Sequence, residues 1–276
     1  MSTRVALITG ASSGIGKAIA QVFLAQGYIV YATARQPEAL VGLEGVRPLT
    51  LDVTQEDSML QAIQTITSEQ ASLDVLVNNA GFALNGPIEE LSLTEVRDEF
   101  ETNVFGLVRM TQLVLPIMRQ NHSGHIINIG SIGGTFTAPG AGAYHASKYA
   151  VEAFTDALRY EVRSFGIKVT LIQPTGVHTP FFAKQAETLP QTGEDSPYAY
   201  FKQRFVQTAN RMYAGQMYGL IEAEDVAKVV VHATQSERPR TRYKVGVSAH
   251  LYYHLRRLLT DRAWDWVMSL QFPMHA

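Results

Sequence analysis

Cysteine is absent from this chain of 276 residues. That excludes disulfides, thiolate-bound zinc and thiol nucleophiles, and it suits a reducing compartment, so a cytoplasmic location is expected. Charge of one sign is also lacking: the net charge is −2 and charged residues make up 17%. Neither a nucleic-acid-binding surface nor an acidic tail fits that balance, and a small molecule is the expected partner. No apolar run is long enough to span a bilayer, so no transmembrane segment is expected. The first residues lack the basic n-region and small-residue cleavage site of a secretory leader. No metal site, internal repeat or domain linker stands out. With 46% hydrophobic residues, the length suffices to bury one large α/β core over residues 1–276.

What is present is an alternation of short aliphatic runs and helical patterns. Runs at 5–9, 28–34, 46–51, 73–77, 124–130, 167–172 and 242–247 read as seven strands. Helical patterns cover 17–26, 55–69, 93–119, 143–164 and 223–234, with Pro116 bending the third near its end. The first strand runs into Thr9-Gly10-Ala11-Ser12-Ser13-Gly14-Ile15-Gly16 and then a helix. Strand, glycine turn and helix in that order make a phosphate cradle, because glycine admits close backbone approach and the helix N-terminus offers free N–H groups. The spacing is Gly-x-x-x-Gly-x-Gly rather than the commoner Gly-x-Gly-x-x-Gly.

The second strand ends at Arg35, where a carboxylate would take ribose hydroxyls and a guanidinium accommodates a 2′-phosphate. NADP is therefore favoured over NAD, with Ser12, Ser13 or Lys17 as further phosphate contacts. Asp52-Val53 follows the third strand; the aspartate can cap the next helix, accept from an adenine amino group, or do both. Asn78-Asn79-Ala80-Gly81 ends the fourth, at the edge of the sheet where ligands bind.

Ser131 stands at the end of the fifth strand, and Tyr144 and Lys148 lie one turn apart on the helix that follows. A lysine ammonium beside a phenol favours phenolate, so Tyr144 is expected to have a lowered pKa. Ser131 can hold a substrate carbonyl while that tyrosine moves a proton. Asn103 sits mid-helix, as a buried satisfied amide or as a kink that binds water near the site. Pro174-Thr175-Gly176-Val177-His178-Thr179 follows the sixth strand; Thr179 can meet a nicotinamide carboxamide, and His178 reads as a loop side chain. Residues 181–219 begin without periodicity and carry Tyr198, Tyr200, Phe201, Phe205, Met212, Tyr213, Met217 and Tyr218. Such a segment is a lid over an apolar pocket, about 180–220, or else core or subunit contact. The tail, about 248–276, places Tyr252, Leu255, Leu259, Trp264, Val267 and Leu270 at helical spacing, with Arg256, Arg257 and Arg262 between them. It reads as a helix against the domain or a partner subunit, with membrane-surface docking as the lesser alternative.

Thr9-Gly10-x-x-x-Gly14-x-Gly16, Asn78-Asn79-Ala80-Gly81, Asn103, Ser131 and Tyr144-x-x-x-Lys148 occur here in the order found in one family. From about Arg4 to Thr179, and more weakly through the seventh strand, the chain resembles the single-domain branch of the short-chain dehydrogenase/reductase family. The resemblance implies a Rossmann-type, doubly wound, seven-stranded parallel sheet with helices on both faces. It implies hydride transfer between NADP(H) and a secondary alcohol, ketone or aldehyde. Tyr144 would be the acid/base, Ser131 would polarise the substrate oxygen, Lys148 would hold the nicotinamide ribose, and Asn103 would support a water in a proton relay. The cofactor would be lined by Gly10, Ser12, Ser13, Gly14, Ile15, Gly16, Arg35, Asp52, Val53, Asn79, Ala80, Gly81, Tyr144, Lys148, Pro174, Gly176, Val177 and Thr179. Thr175 stands where the family often has a direct Pro-Gly. The run 176–179 and the aromatic segment are similar to branches acting on steroids and retinoids. A homodimer or homotetramer through helices 93–119 and 143–164 is expected. The rivals are the same chemistry with NAD(H), a non-catalytic NADP sensor, and a nucleotide-sugar epimerase or dehydratase.

Overall fold

The computed structural model describes residues 3–181, 187–190, 196–214 and 219–271. Met217 and Tyr218 of the expected lid lie outside the described residues, as do 272–276 of the tail. The strands are β1 (Val5–Ile8), β2 (Ile29–Ala34), β3 (Arg47–Thr50), β4 (Val75–Asn78), β5 (Gly124–Ile129), β6 (Ile167–Pro174) and β7 (Arg242–Val245). The helices are α1 (Gly14–Ala25), α2 (Glu56–Glu69), α3 (Leu93–Phe100), α4 (Gly106–Gln120), α5 (Gly142–Glu161), α6 (Ala199–Tyr213), α7 (Ala223–Gln235), α8 (Val247–Leu258) and α9 (Asp261–Gln271).

All seven strands join one parallel sheet in the order β3-β2-β1-β4-β5-β6-β7. The expected Rossmann-type architecture is what forms. Register is set by side-chain alternation: Ala6 and Ile8 of β1 face α1 and α7, whereas Val5 and Leu7 face α2 and α4. Burial on both faces is why these strands read as unbroken apolar runs. The chain runs from β1 outward to β2 and β3, then returns to β4 on β1's other side. The carboxyl ends of β1 and β4 therefore border a crevice at the point where strand order reverses.

Several elements differ from the sequence reading. The helix expected over 93–119 is two α-helices joined by one π-helical turn, Glu101–Phe105. Its start is a capping box: Ser92 Oγ accepts from Glu95 N, and the Glu95 carboxylate accepts from Ser92 N. Pro116 lies inside α4, which continues to Gln120. Asp52 does not cap α2: that helix starts four residues later, and the Asp52 carboxylate instead accepts from Thr54 N and Thr54 Oγ1. The aromatic segment includes a regular helix, α6. The tail is a pair of helices, broken where Leu259 turns extended. Its inner face packs Trp264, Met268 and Ala249 onto Ile132 and Phe136, so it docks on the domain. Among the described residues no helix is long and apolar enough to cross a membrane.

One core side chain makes stability depend on pH. His125 of β5 is buried, with Nε2 paired to Thr170 Oγ1 at 2.8 Å and Nδ1 without a hydrogen-bond partner. Burial pushes its pKa down to about 3, helped by the charges of Lys168 and Arg4. A depressed pKa means the unfolded chain takes up this proton first. Its contribution is whole above the ordinary histidine pKa and drains as pH falls toward about 3. The unfolding free energy from denaturant titrations should fall below about pH 6 with a slope approaching about 1.4 kcal/mol per pH unit from this group. His125→Gln should flatten that slope; a parallel profile would show that the proton is bound elsewhere.

Candidate active site

The loops after β1, β2, β4, β5 and β6 meet at the carboxyl edge of the sheet. After β1, Gly10 and Gly14 adopt φ of 66° and 53°, in the left-handed region that favours glycine. Gly16 has a different constraint. A Cβ there would stand 2.5 Å from Asn79 Nδ2 and still closer to Gly10 O. The turn is braced from β4: Asn79 Nδ2 donates to Thr9 O and Gly10 O, each at 2.9 Å, and Thr9 Oγ1 accepts from Asn79 N and Ala80 N. Asn79 thus spends its amide on the turn rather than presenting it to a base. Ser13 precedes α1 without a side-chain cap, and the first turn of that helix holds no acid. Open N–H groups at a helix N-terminus behind a glycine cradle fit a pyrophosphate. Ser12 and Ile15 are half-buried along this cradle, and Arg35, just past β2, is exposed. These donors fit the dinucleotide that the sequence implies.

On the far side of the cradle, Thr179 packs its methyl group against Gly14 and turns its hydroxyl to Val177 O at 3.3 Å. Gly176 and Val177 are held by Ile221 through backbone bonds. The extra Thr175 after Pro174 turns away from the crevice: its hydroxyl pairs with Ser248 Oγ at 2.6 Å, and its N–H donates to Val245 O. The insertion is absorbed by β7 and α8. His178, read as a loop side chain, lies 3.6 Å from Glu222. Val53 and Asp52 lie at the opposite flank, where Gly106 lets α4 approach Val53 O; a Cβ there would be 2.7 Å away.

Ser131, Tyr144, Lys148 and Asn103 converge between these flanks. Ser131 Oγ accepts from Gly133 N at 3.0 Å, which leaves its own proton to point toward the Tyr144 hydroxyl, whose pKa it pulls down. Lys148 is buried, donates from Nζ to Ile129 O at 3.0 Å, and stands 5.8 Å from the Tyr144 ring centre. Asn103 lies in the π-helical turn, where Nδ2 donates to Phe82 O at 2.8 Å and Ser147 Oγ at 3.0 Å while Oδ1 accepts from Phe82 N. The close pass of Gly81 over Asn103 Oδ1, 2.8 Å from where a Cβ would be, explains the glycine there. The bland alternative for Asn103, a buried and satisfied amide, describes its side chain.

The expected depression of the Tyr144 pKa is not found. Burial pushes the phenol up to about 12, the Ser131 hydrogen bond opposes the rise, and the charge of Glu99 adds to it. Lys148 is itself driven down to about 8 by burial, with Glu99 opposing. Desolvation outweighs the ammonium beside the ring because both groups have left water.

Sequence reading missed Glu99, Thr9, Ser147 and His145. Glu99 is fully buried one turn before Asn103, an i, i+4 pairing that was visible in the sequence. His145 is buried beside Tyr144, accepts from Ala138 N at Nδ1, and is pushed down to about 4 by burial, so it is neutral. Around Tyr144 the walls are aromatic: Phe181 lies 5.7 Å away, and Phe136 meets His145 edge-on at 6.0 Å. Phe201 and Phe205 of α6 reach Gly140. Lys202 of α6 pairs with Glu90 at 3.0 Å, and Tyr198 just before that helix donates to Glu89 at 2.6 Å.

The comparisons with known proteins agree with this geometry. The sequence profile of the short chain dehydrogenase family matches residues 4–190. A 3-ketodihydrosphingosine reductase of Bacteroides thetaiotaomicron is 46% identical over 199 residues, 72% of this chain and 73% of that one. An NADPH-dependent 3-dehydrocapnine reductase of Ornithobacterium rhinotracheale is 34% identical over 95% of each. The crystal structure of a short-chain dehydrogenase from Streptomyces avermitilis superposes with a TM-score of 0.80 at 34% identity, covering 97% of both chains. A glycine cradle at the strand reversal, a serine, tyrosine and lysine gathered beside it, and these matches place the chain in the short-chain dehydrogenase/reductase family, as a nicotinamide-dependent oxidoreductase.

Proposed function

We propose that this protein reduces a bulky, apolar ketone with NADPH, through Ser131, Tyr144 and Lys148. The observation that carries this reading is the convergence of those three side chains beside the glycine cradle, under an aromatic rim. Bound NADPH supplies the hydride. As negative charge grows on the substrate oxygen, Ser131 donates to it and Tyr144 hands over its proton. A phenol held at about 12 is fully protonated at neutral pH, which suits it to act as the acid of a reduction. Lys148 would hold the ribose of the bound cofactor and return positive charge to the site. In the oxidative direction the same groups run in reverse at higher pH. Exposed Arg35 and the missing carboxylate after β2 support NADP(H) over NAD(H). With the dinucleotide bound, Ser12 and Ser13 would meet the phosphates in the cradle of Gly10, Gly14, Ile15 and Gly16, Asp52, Val53, Ala80 and Gly81 would line the adenine side, and Pro174, Gly176, Val177 and Thr179 the nicotinamide side.

The substrate class rests on the rim of Phe136, Phe181 and neutral His145, with α6, whose Phe201 and Phe205 reach Gly140, as the described part of a lid over it. Two of the relatives are a 3-ketodihydrosphingosine reductase and a 3-dehydrocapnine reductase, and we carry that carbonyl reduction over to this chain. Exposed Phe105 on the π-helical turn and Phe154 on α5 support pairing of subunits through these helices, in a cytoplasmic homo-oligomer.

Loss of reduced-cofactor absorbance, with NADPH and NADH in parallel and ketones from small to steroid-sized and long-chain, tests the reading. Turnover of bulky ketones with NADPH is expected; equal turnover with NADH would overturn the cofactor assignment, and tight cofactor binding without turnover would favour a sensor. Tyr144→Phe should lower kcat by a factor on the order of 10³ while NADPH affinity holds, since only the proton donor is lost. Undiminished kcat would remove Tyr144 from the chemistry. Arg35→Asp should raise the NADPH KM by about tenfold or more and spare NADH, because a carboxylate repels the 2′-phosphate. An unchanged preference would mean that another residue discriminates.

A further inference from the structure

Glu99 is a charged side chain with no solvent exposure, directly under the site. Its Oε1 accepts from Leu84 N at 3.0 Å and faces Asn103 Nδ2 at 3.4 Å, while Oε2 is buried without a hydrogen-bond partner among the described residues. Asn103 passes the connection on. Its amide donates to Ser147 Oγ at 3.0 Å, and that hydroxyl donates to Tyr144 O at 2.7 Å. A chain of polar contacts thus runs from the Glu99 carboxyl to the first turn of α5, its first link the 3.4 Å approach of an amide whose two protons go mainly to Phe82 O and Ser147 Oγ. The titratable groups acting across this space are on α5: Lys148, which favours ionised Glu99, and Tyr144, whose ionisation Glu99 opposes. The loop over Glu99 contributes the Leu84 amide, and the π-helical turn contributes Asn103.

Hydrogen bonding alone does not call for an acid here. A glutamine would accept from Leu84 N equally well, and no hydrogen bond made by Oε2 would be lost. What a carboxyl adds is a charge that Lys148 of α5 feels through the dry space between them, without a direct ion pair. We propose that Glu99 is a positioning residue of the reaction: an internal counter-charge that keeps Lys148 charged in its buried seat and, through Asn103 and Ser147, fixes the turn that carries Tyr144. Burial raises the Glu99 pKa to about 7 against the pull of the Leu84 amide and Lys148; burial lowers that of Lys148 to about 8 against the pull of Glu99. The two titrate as a couple inside the working pH range. The proposal rests on Tyr144 and Lys148 being the acid/base pair.

Glu99→Gln keeps size and the Leu84 contact while removing charge; Glu99→Asp keeps charge and disturbs packing. Ionised Glu99 raises the Lys148 pKa, so its removal lowers it. The alkaline limb of the kcat profile should therefore move down by about one pH unit in Glu99→Gln and stay near the parent's in Glu99→Asp. A limb unmoved in folded, NADPH-binding Glu99→Gln would overturn the proposal, as would equal shifts in both variants. The cofactor-free protein gives a second readout. Its infrared spectrum should contain a buried carboxylic acid band that fades as pH rises through about 7 and is absent from Glu99→Gln. If neither variant folds, this titration of the parent decides, and absence of the band overturns the proposal. Failure of the catalytic reading itself would show as a parent without turnover, which the infrared titration does not require.

Discussion

A side chain of any size at residue 16 would collide with the backbone of Gly10 and the amide of Asn79. Much else follows from that confinement. β1 can pass into α1 within a few residues only because three glycines allow it, and α1 then points its open end into the crevice. The brace from β4 couples the turn to the strand that borders it, so the cradle belongs to the sheet rather than to a loose loop. Preorganised N–H groups reorganise little when an anion arrives, which is how such a turn binds tightly without strong charges of its own.

The other constraint is the dryness of the space beneath the reacting groups. Tyr144, Lys148 and Glu99 sit where water is excluded, so each resists its charged form, and the charge of Glu99 acts on both of the others. Carboxyl and ammonium offset part of one another's cost, and the phenol is left protonated. In a medium of this kind a single proton moved among three groups changes the field felt by the substrate oxygen more than a surface charge could. The π-helical turn belongs to the same arrangement. It rotates Asn103 toward Phe82 and Ser147, where its amide ties the loop after β4 to α5.

Strands were readable because burial on both faces leaves only apolar residues, and Tyr144 with Lys148 because four residues make one helical turn. The glycine turn was readable because the order strand, glycines, helix has few other uses. What escaped the sequence depended on partners far along the chain. Glu99 looks like any solvated helix acid until the loop after β4 is seen to cover it. Asp52 looked like a cap, and its helix begins too late. The tail had the right period for one helix, but period alone does not mark the break at Leu259. Nor could sequence alone give the Tyr144 protonation state: the lysine is adjacent, but the amount of water excluded is a property of the folded site.

Phe136 stands at the junction between the reacting groups and the tail. One side of its ring meets His145, and the others meet Tyr252 and Trp264 at centre distances of 5.1 and 5.3 Å. The family profile ends at residue 190, well before either tail aromatic. Phe136 therefore makes the reacting groups and the tail share one aromatic wall. A change of size at Tyr252 or Trp264 would be felt in the chamber through that ring without touching a reacting atom.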